Sequence, residues 1–66
     1  MEQDYSALSV LIPAHNEQNA IGTVIQDLHE YLPGCEILVI DDCSTDMTAD
    51  IASQFETVRV LRLPYN

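Results

Sequence analysis

The chain has 66 residues with 2 Lys and Arg against 11 Asp and Glu, a formal net charge of −9, and is 47% hydrophobic and 20% charged. That length allows at most one small domain, since domains run to roughly 100–200 residues, and the composition is neither disordered nor collagen-like. A binding surface for nucleic acid or anionic lipid is excluded, because phosphate recognition needs a basic patch and Arg59 and Arg62 are the only Arg or Lys residues present.

Met1 to Ser6 is polar and expected to fray, leaving residues 7–66 as the folded part. Ala7 to Ile12 is apolar and predicts a first strand, which Pro13 is expected to end by removing an amide donor. Pro13 to Asn16 reads as a polar turn. Asn16 is placed to cap a helix beginning near Glu17, whose carboxylate suits the positive helix end. Ile21, Val24, Ile25, Leu28 and Leu32 then give one apolar helical face, and Pro33-Gly34 stops the helix.

Glu36 to Ile40 predicts a second strand, and its unbroken Ile-Leu-Val-Ile run suits a parallel strand covered on both faces. Asp41 to Met47 is a polar loop. Thr48 to Phe55 predicts a short helix, and Val58 to Leu63 a third strand closed by Pro64. Strands alternating with helices in the order β-α-β-α-β imply parallel pairing through right-handed crossovers. The expected fold class is therefore α/β, half of a doubly wound sheet.

Cys35 and Cys43 bracket the second strand. An extended run of that length holds them about 25 Å apart, beyond disulfide reach. Unpaired thiols suit a reducing compartment. The start Met-Glu-Gln-Asp is acidic where a signal peptide is basic, and the longest apolar run is four residues. A cytoplasmic chain with no membrane segment is the expectation.

Ligands of open parallel sheets bind outside the carboxyl ends of the strands. Strand one ends in Pro13-Ala14-His15-Asn16-Glu17 and strand two in Asp41-Asp42-Cys43-Ser44-Thr45-Asp46, so neighbouring strands would gather His15, Asn16, Glu17, Asp41 and Asp42 around one crevice. An ionised carboxylate there is an acceptor matched to a nucleobase N–H or a ribose hydroxyl. Asp46 or Thr45 can equally serve as the cap of the second helix.

Other chemistries fit poorly. The only glycines are Gly22 and Gly34, so neither G-x-G-x-x-G nor G-x-x-x-x-G-K-[ST] occurs. An EF-hand reading starting at Asp42 fails, because position six is Met47 where Gly is required and position twelve is Ser53 where a bidentate Glu is required. His15 and His29 lie too far apart in sequence to form a helical metal pair. Cys43 has no identifiable partner base, and nearby carboxylates disfavour its thiolate.

Ser9-Val10-Leu11-Ile12-Pro13-Ala14-His15-Asn16-Glu17, followed by Glu36-Ile37-Leu38-Val39-Ile40-Asp41-Asp42-Cys43-Ser44-Thr45-Asp46-Met47-Thr48, resembles the opening of family-two glycosyltransferases. The resemblance implies a three-layer, Rossmann-like fold of the GT-A type that binds nucleotide-sugars, of which this β-α-β-α-β chain is the N-terminal half. It implies that Pro13, His15 and Glu17 line the base and ribose pocket and that Asp42 bonds the nucleobase, with Ile40 or Asp41 packing nearby. Cys43 and Met47 depart from the family's frequent glycines, and His15 from its common tyrosine.

A UDP- or GDP-linked sugar donor and inverting transfer to an acceptor hydroxyl are likewise implied. The family's D-x-D element, which holds Mg²⁺ or Mn²⁺ against the diphosphate, and its carboxylate base fall beyond the matched stretch. The chain alone is therefore expected to be inactive and to lack the metal ligands, in the cytoplasm or at the cytoplasmic face of a membrane. Two alternatives stand beside this. Ile-Leu-Val-Ile-Asp-Asp also resembles a strand of phospho-acceptor receiver domains, although the third strand here ends Leu63-Pro64-Tyr65-Asn66 with no acceptor Asp. A non-catalytic α/β fragment would self-associate through its open sheet edge.

Overall fold

Side chains of a strand alternate between the two faces of its sheet, so the parity of each residue decides what it packs against. The computed structural model describes residues 4–64. Its elements in order are β1 (Ser9–Ala14), α1 (Ile21–Tyr31), β2 (Glu36–Asp42), α2 (Thr48–Ser53) and β3 (Val58–Leu63). The strands form one parallel sheet in the order β1-β2-β3. This is the expected β-α-β-α-β, Rossmann-like half-fold.

Two rows of register partners, Val10–Ile37–Val58 and Ile12–Val39–Val60, run across the sheet on one face. Ile37 and Val39 are wholly buried there, in one cluster with Ile21 and Ile25 of α1 and Ala52 of α2. Both crossovers step the same way across the sheet, and right-handed connections of that kind place both helices on the same side. The opposite parity carries Leu11, Pro13, Leu38, Ile40, Leu61 and Leu63. Leu11 is 61% and Leu61 51% exposed on that side. Of the three expected layers, the described residues supply the sheet and one helix layer. The Ile-Leu-Val-Ile run is thus covered on one face, and Leu38 and Ile40 are only half-buried.

Several boundaries differ from the sequence reading. Pro13 does not end β1, which runs on to Ala14 with Pro13 opposite Ile40. Among the described residues β1 is an edge strand, where a missing N–H is tolerated because half of the donors have no ladder partner. Helix α1 starts at Ile21, four residues later than expected. The amides of Ala20 and Ile21 both bond to the carbonyl of Glu17, at 3.0 and 2.8 Å, so residues 18–20 form a turn that leads into the helix.

Helix α2 stops at Ser53, short of Phe55. The amides of Gln54 and Phe55 bond three residues back, to Ile51 and Ala52, which tightens and ends the last turn. Gly34, with φ +89°, turns the chain from α1 into β2. Of the segment expected to fray, Met1–Gln3 lies outside the described residues. Tyr5 is tied down, giving its N–H to Pro33 O at 3.0 Å and packing against the core.

Candidate functional site

Ala14 and Asp41 are register partners, so β1 and β2 end side by side and their loops meet at one rim of the sheet. In those loops Asn16 (φ 51°) and Cys43 (φ 56°) take left-handed backbone conformations. Asn tolerates that region better than most residues; Cys43 does not share the advantage, in keeping with the glycine frequent at its position in the resemblance.

The two loops are laced together. Asn16 N–H donates to Ser44 Oγ at 2.9 Å, and Thr45 N–H donates to Asn16 Oδ1 at 2.9 Å. Glu17 N–H donates to Thr48 Oγ1 at 2.8 Å, and that hydroxyl in turn donates to Asp46 Oδ1. Gln18 N–H reaches Asp46 Oδ2 at 3.3 Å, while Met47 N–H donates to Gln18 Oε1 at 3.2 Å. Asp46 also accepts Thr48 N–H at 2.9 Å, so it satisfies an amide at the start of α2 as a capping residue does. These bonds, the Thr48 hydroxyl first, hold the Asp46 carboxyl below its ordinary pKa against an opposing contribution from burial.

His15 joins the same rim. Its Nδ1 lies 2.6 Å from the carbonyl oxygen of Asp42, although the two residues are 27 apart in sequence. The adjacent acids diverge, because parity turns Asp41 toward the helices and Asp42 toward the more open face. Asp41 is buried, with Oδ1 accepting the Ser44 hydroxyl and Oδ2 lying 3.7 Å from Arg62 Nε, its register partner on β3. Asp42 is half-buried, on the parity of Ile40. Ile40 and Pro13 are themselves register partners.

The sequence pattern of "Glycosyl transferase family 2" matches residues 9–66. The chain belongs to this family. Among curated relatives of this family-2 chain, "Protein RfbJ" of Shigella flexneri is 47% identical over 45 residues, 68% of the chain and 35% of that protein. The "Putative teichuronic acid biosynthesis glycosyltransferase TuaG" of Bacillus subtilis (strain 168) is 40% identical over 52 residues, 77% of the chain and 21% of that protein. The "4,4'-diaponeurosporenoate glycosyltransferase" of Staphylococcus aureus (strain USA300) is 33% identical over 52 residues, 79% of the chain and 14% of that protein. The chain thus spans about a third or less of the length of these relatives. No solved structure matches it.

Of the six residues singled out in the family-2 sequence, the structure gathers Pro13, His15, Ile40 and Asp42 at the open-face end of β1 and β2. Glu17 is exposed in the same loop, and its backbone N–H bonds to Thr48 at the start of α2. Asp41 does not share their face. Nor is Asn16 a helix cap, since α1 begins five residues later and Ala20 occupies its N-cap position without a side-chain bond.

Asp41 and Asp42 point to opposite faces, Asp41 is engaged by Ser44 and Arg62, and no cluster of metal-ligating side chains occurs among the described residues. The cross-loop partners Asn16, Gln18, Ser44 and Thr48 were not foreseen as a network, because each bond joins residues 28 to 31 apart. Among the described residues no helix is long and apolar enough to cross a membrane.

Proposed function

We propose that this family-2 chain forms the donor-nucleoside rim of an inverting glycosyltransferase that moves a sugar from a UDP- or GDP-linked donor to an acceptor hydroxyl. The observation that carries the reading is the contact of His15 with the end of β2. It brings side chains from two separate strand ends within reach of one nucleoside. In this reading the Asp42 carboxylate accepts an N–H of uracil or guanine or a ribose hydroxyl, an interaction in which an ionised acceptor outweighs a neutral one. Pro13, Ile40 and His15 supply apolar and ring surface beside it, and Glu17 stands at the outer edge. Asp41 supports the rim from below through Ser44.

The diphosphate metal is not held by these residues, so no transfer step is assigned to them, and the 66 residues alone bind donor without turning it over. Titration of the chain with UDP- and GDP-sugars, with and without Mn²⁺, tests this through backbone amide shifts. The expected result is perturbation centred on His15–Glu17 and Asp41–Ser44, little dependence on Mn²⁺, and no release of free nucleoside diphosphate. Unmoved rim amides at millimolar ligand would refute the reading.

A further inference from the structure

The hydrogen bonds around His15 have a direction that can be worked out atom by atom. A backbone amide only donates, so the atom of Asn16 that lies 2.9 Å from Thr45 N is its oxygen, Oδ1. The side-chain nitrogen Nδ2 is therefore the atom that lies 3.4 Å from His15 Nε2. An amide nitrogen only donates, which makes Nε2 an acceptor without a proton. At the other side of the ring, Asp42 O is a carbonyl that only accepts, so His15 Nδ1 carries the hydrogen. The chain of donors runs Thr45 N–H to Asn16 Oδ1, Asn16 Nδ2–H to His15 Nε2, and His15 Nδ1–H to Asp42 O. Its first and last members are backbone groups of the loop after β2 and of the last residue of β2, so the ring is clasped between the strand end and the loop that follows it.

We propose that Asn16 is a positioning residue that locks the His15 imidazole as its Nδ1–H tautomer against the end of β2. Free histidine favours the Nε2–H form, so the clasp imposes a state the side chain does not choose by itself. The left-handed backbone of Asn16 is part of the device. It aims the Asn16 N–H at Ser44 Oγ, and Ser44 in turn bonds Asp41, which fixes the base of the loop that carries Asp42. Both ring nitrogens are thereby occupied, and the ring is held at one angle beside Asp42. The consequence for affinity rests on the reading of the rim as a nucleoside site; the tautomer assignment does not.

The test uses the whole 66-residue chain with ¹⁵N-labelled histidine. At alkaline pH, where imidazole is uncharged, the His15 nitrogens are expected to show the Nδ1–H pattern, with His29 as an internal comparison. Asn16→Asp keeps an acceptor for Thr45 N–H and a residue type tolerant of positive φ, but it replaces the donor to Nε2 with an acceptor. The His15 signals should move toward the Nε2–H or doubly protonated pattern while the amide spectrum stays folded. UDP, or GDP if that is the nucleotide bound, should bind roughly five- to tenfold more weakly, the worth of one ordinary hydrogen bond. Asn16→Gly, which suits the backbone but loses all three side-chain bonds, to His15 Nε2 and to the Thr45 N–H and hydroxyl, should release the ring likewise. An Nε2–H ring in the wild-type chain, or nitrogen signals unmoved in Asn16→Asp, overturns the proposal. If the tautomer shifts as expected and neither nucleotide binds the wild-type chain, the clasp stands and the nucleoside reading falls.

Discussion

In the proposed reading Asp41 and Asp42 are neighbours with opposite work, and separating them by mutation is the sharpest use of the sheet's parity. In Asp41→Ala the Ser44 hydroxyl loses a charged acceptor, a bond of about 1.5–3 kcal/mol. The Arg62 pair adds little, at most about 1 kcal/mol, because the arginine side chain is 61% exposed and the closest approach is 3.7 Å. The sum, about 1.5–4 kcal/mol, is a large part of the roughly 3–10 kcal/mol that a chain this size can hold. At about 4–8 °C per kcal/mol the melting temperature should fall by roughly 6–30 °C. Asp41→Asn keeps an acceptor for Ser44 and should lose less than half of that. Asp42→Asn should melt near wild type and bind UDP or GDP about 10- to 100-fold more weakly, since a charged acceptor is exchanged for a neutral one. Thermal melts by circular dichroism with nucleotide titrations below the melt read both quantities. If Asp41→Asn lost nucleotide binding at unchanged stability, the division of labour argued from alternation would be wrong.

Ile25 is wholly buried between α1 and the sheet, and Ile25→Ala should cost about 2–5 kcal/mol, enough to leave the chain largely unfolded in a urea titration, whereas Ile25→Val should lose only about 0.5–1.5 kcal/mol. The Asp46 carboxyl has a folded pKa below the ordinary 3.8, so its contribution to stability is complete above that value and disappears as pH falls through the depressed one. Wild type should therefore out-melt Asp46→Ala at pH 6, and the gap should close in strong acid; a gap independent of pH would contradict the assignment. Among the described residues β1 and β3 leave unpaired sheet edges beside the exposed Leu11 and Leu61, and we predict that the chain associates with a second copy of itself. The net charge of −9 opposes this, so sedimentation should show heavier species as salt rises and fewer in Leu11→Lys; a monomer at every salt and concentration would refute it.

The element order was legible because each strand is a short apolar run and α1 shows a helical stripe from Ile21 to Leu32. Boundaries were not, and the reasons are specific. Pro13 looks like a stop in isolation, but its tolerance depends on β1 being an edge, which only the strand order reveals. Asn16 has the composition of a cap, yet its partners are Ser44 and Thr45, supplied by the parallel register and by no local pattern. The divergence of Asp41 from Asp42 was available from period-two alternation alone, had the strand been carried past Ile40 to include both acids. Coverage of β2 on both faces was inferred from an apolar run that reports hydrophobicity but not which layer covers each side. The meeting of His15 with the end of β2 was legible, because it follows from placing two polar strand ends on neighbouring parallel strands.

Isotope-edited NOE spectra of the chain mixed with UDP or GDP test the proposed nucleoside rim most directly. The base and ribose protons should give contacts to the His15 ring and to the side chains of Pro13 and Ile40, and Asp42→Asn should weaken them together. Contacts confined to the outer surfaces of α1 and α2, or spread evenly over the molecule, would show that the nucleoside is held elsewhere.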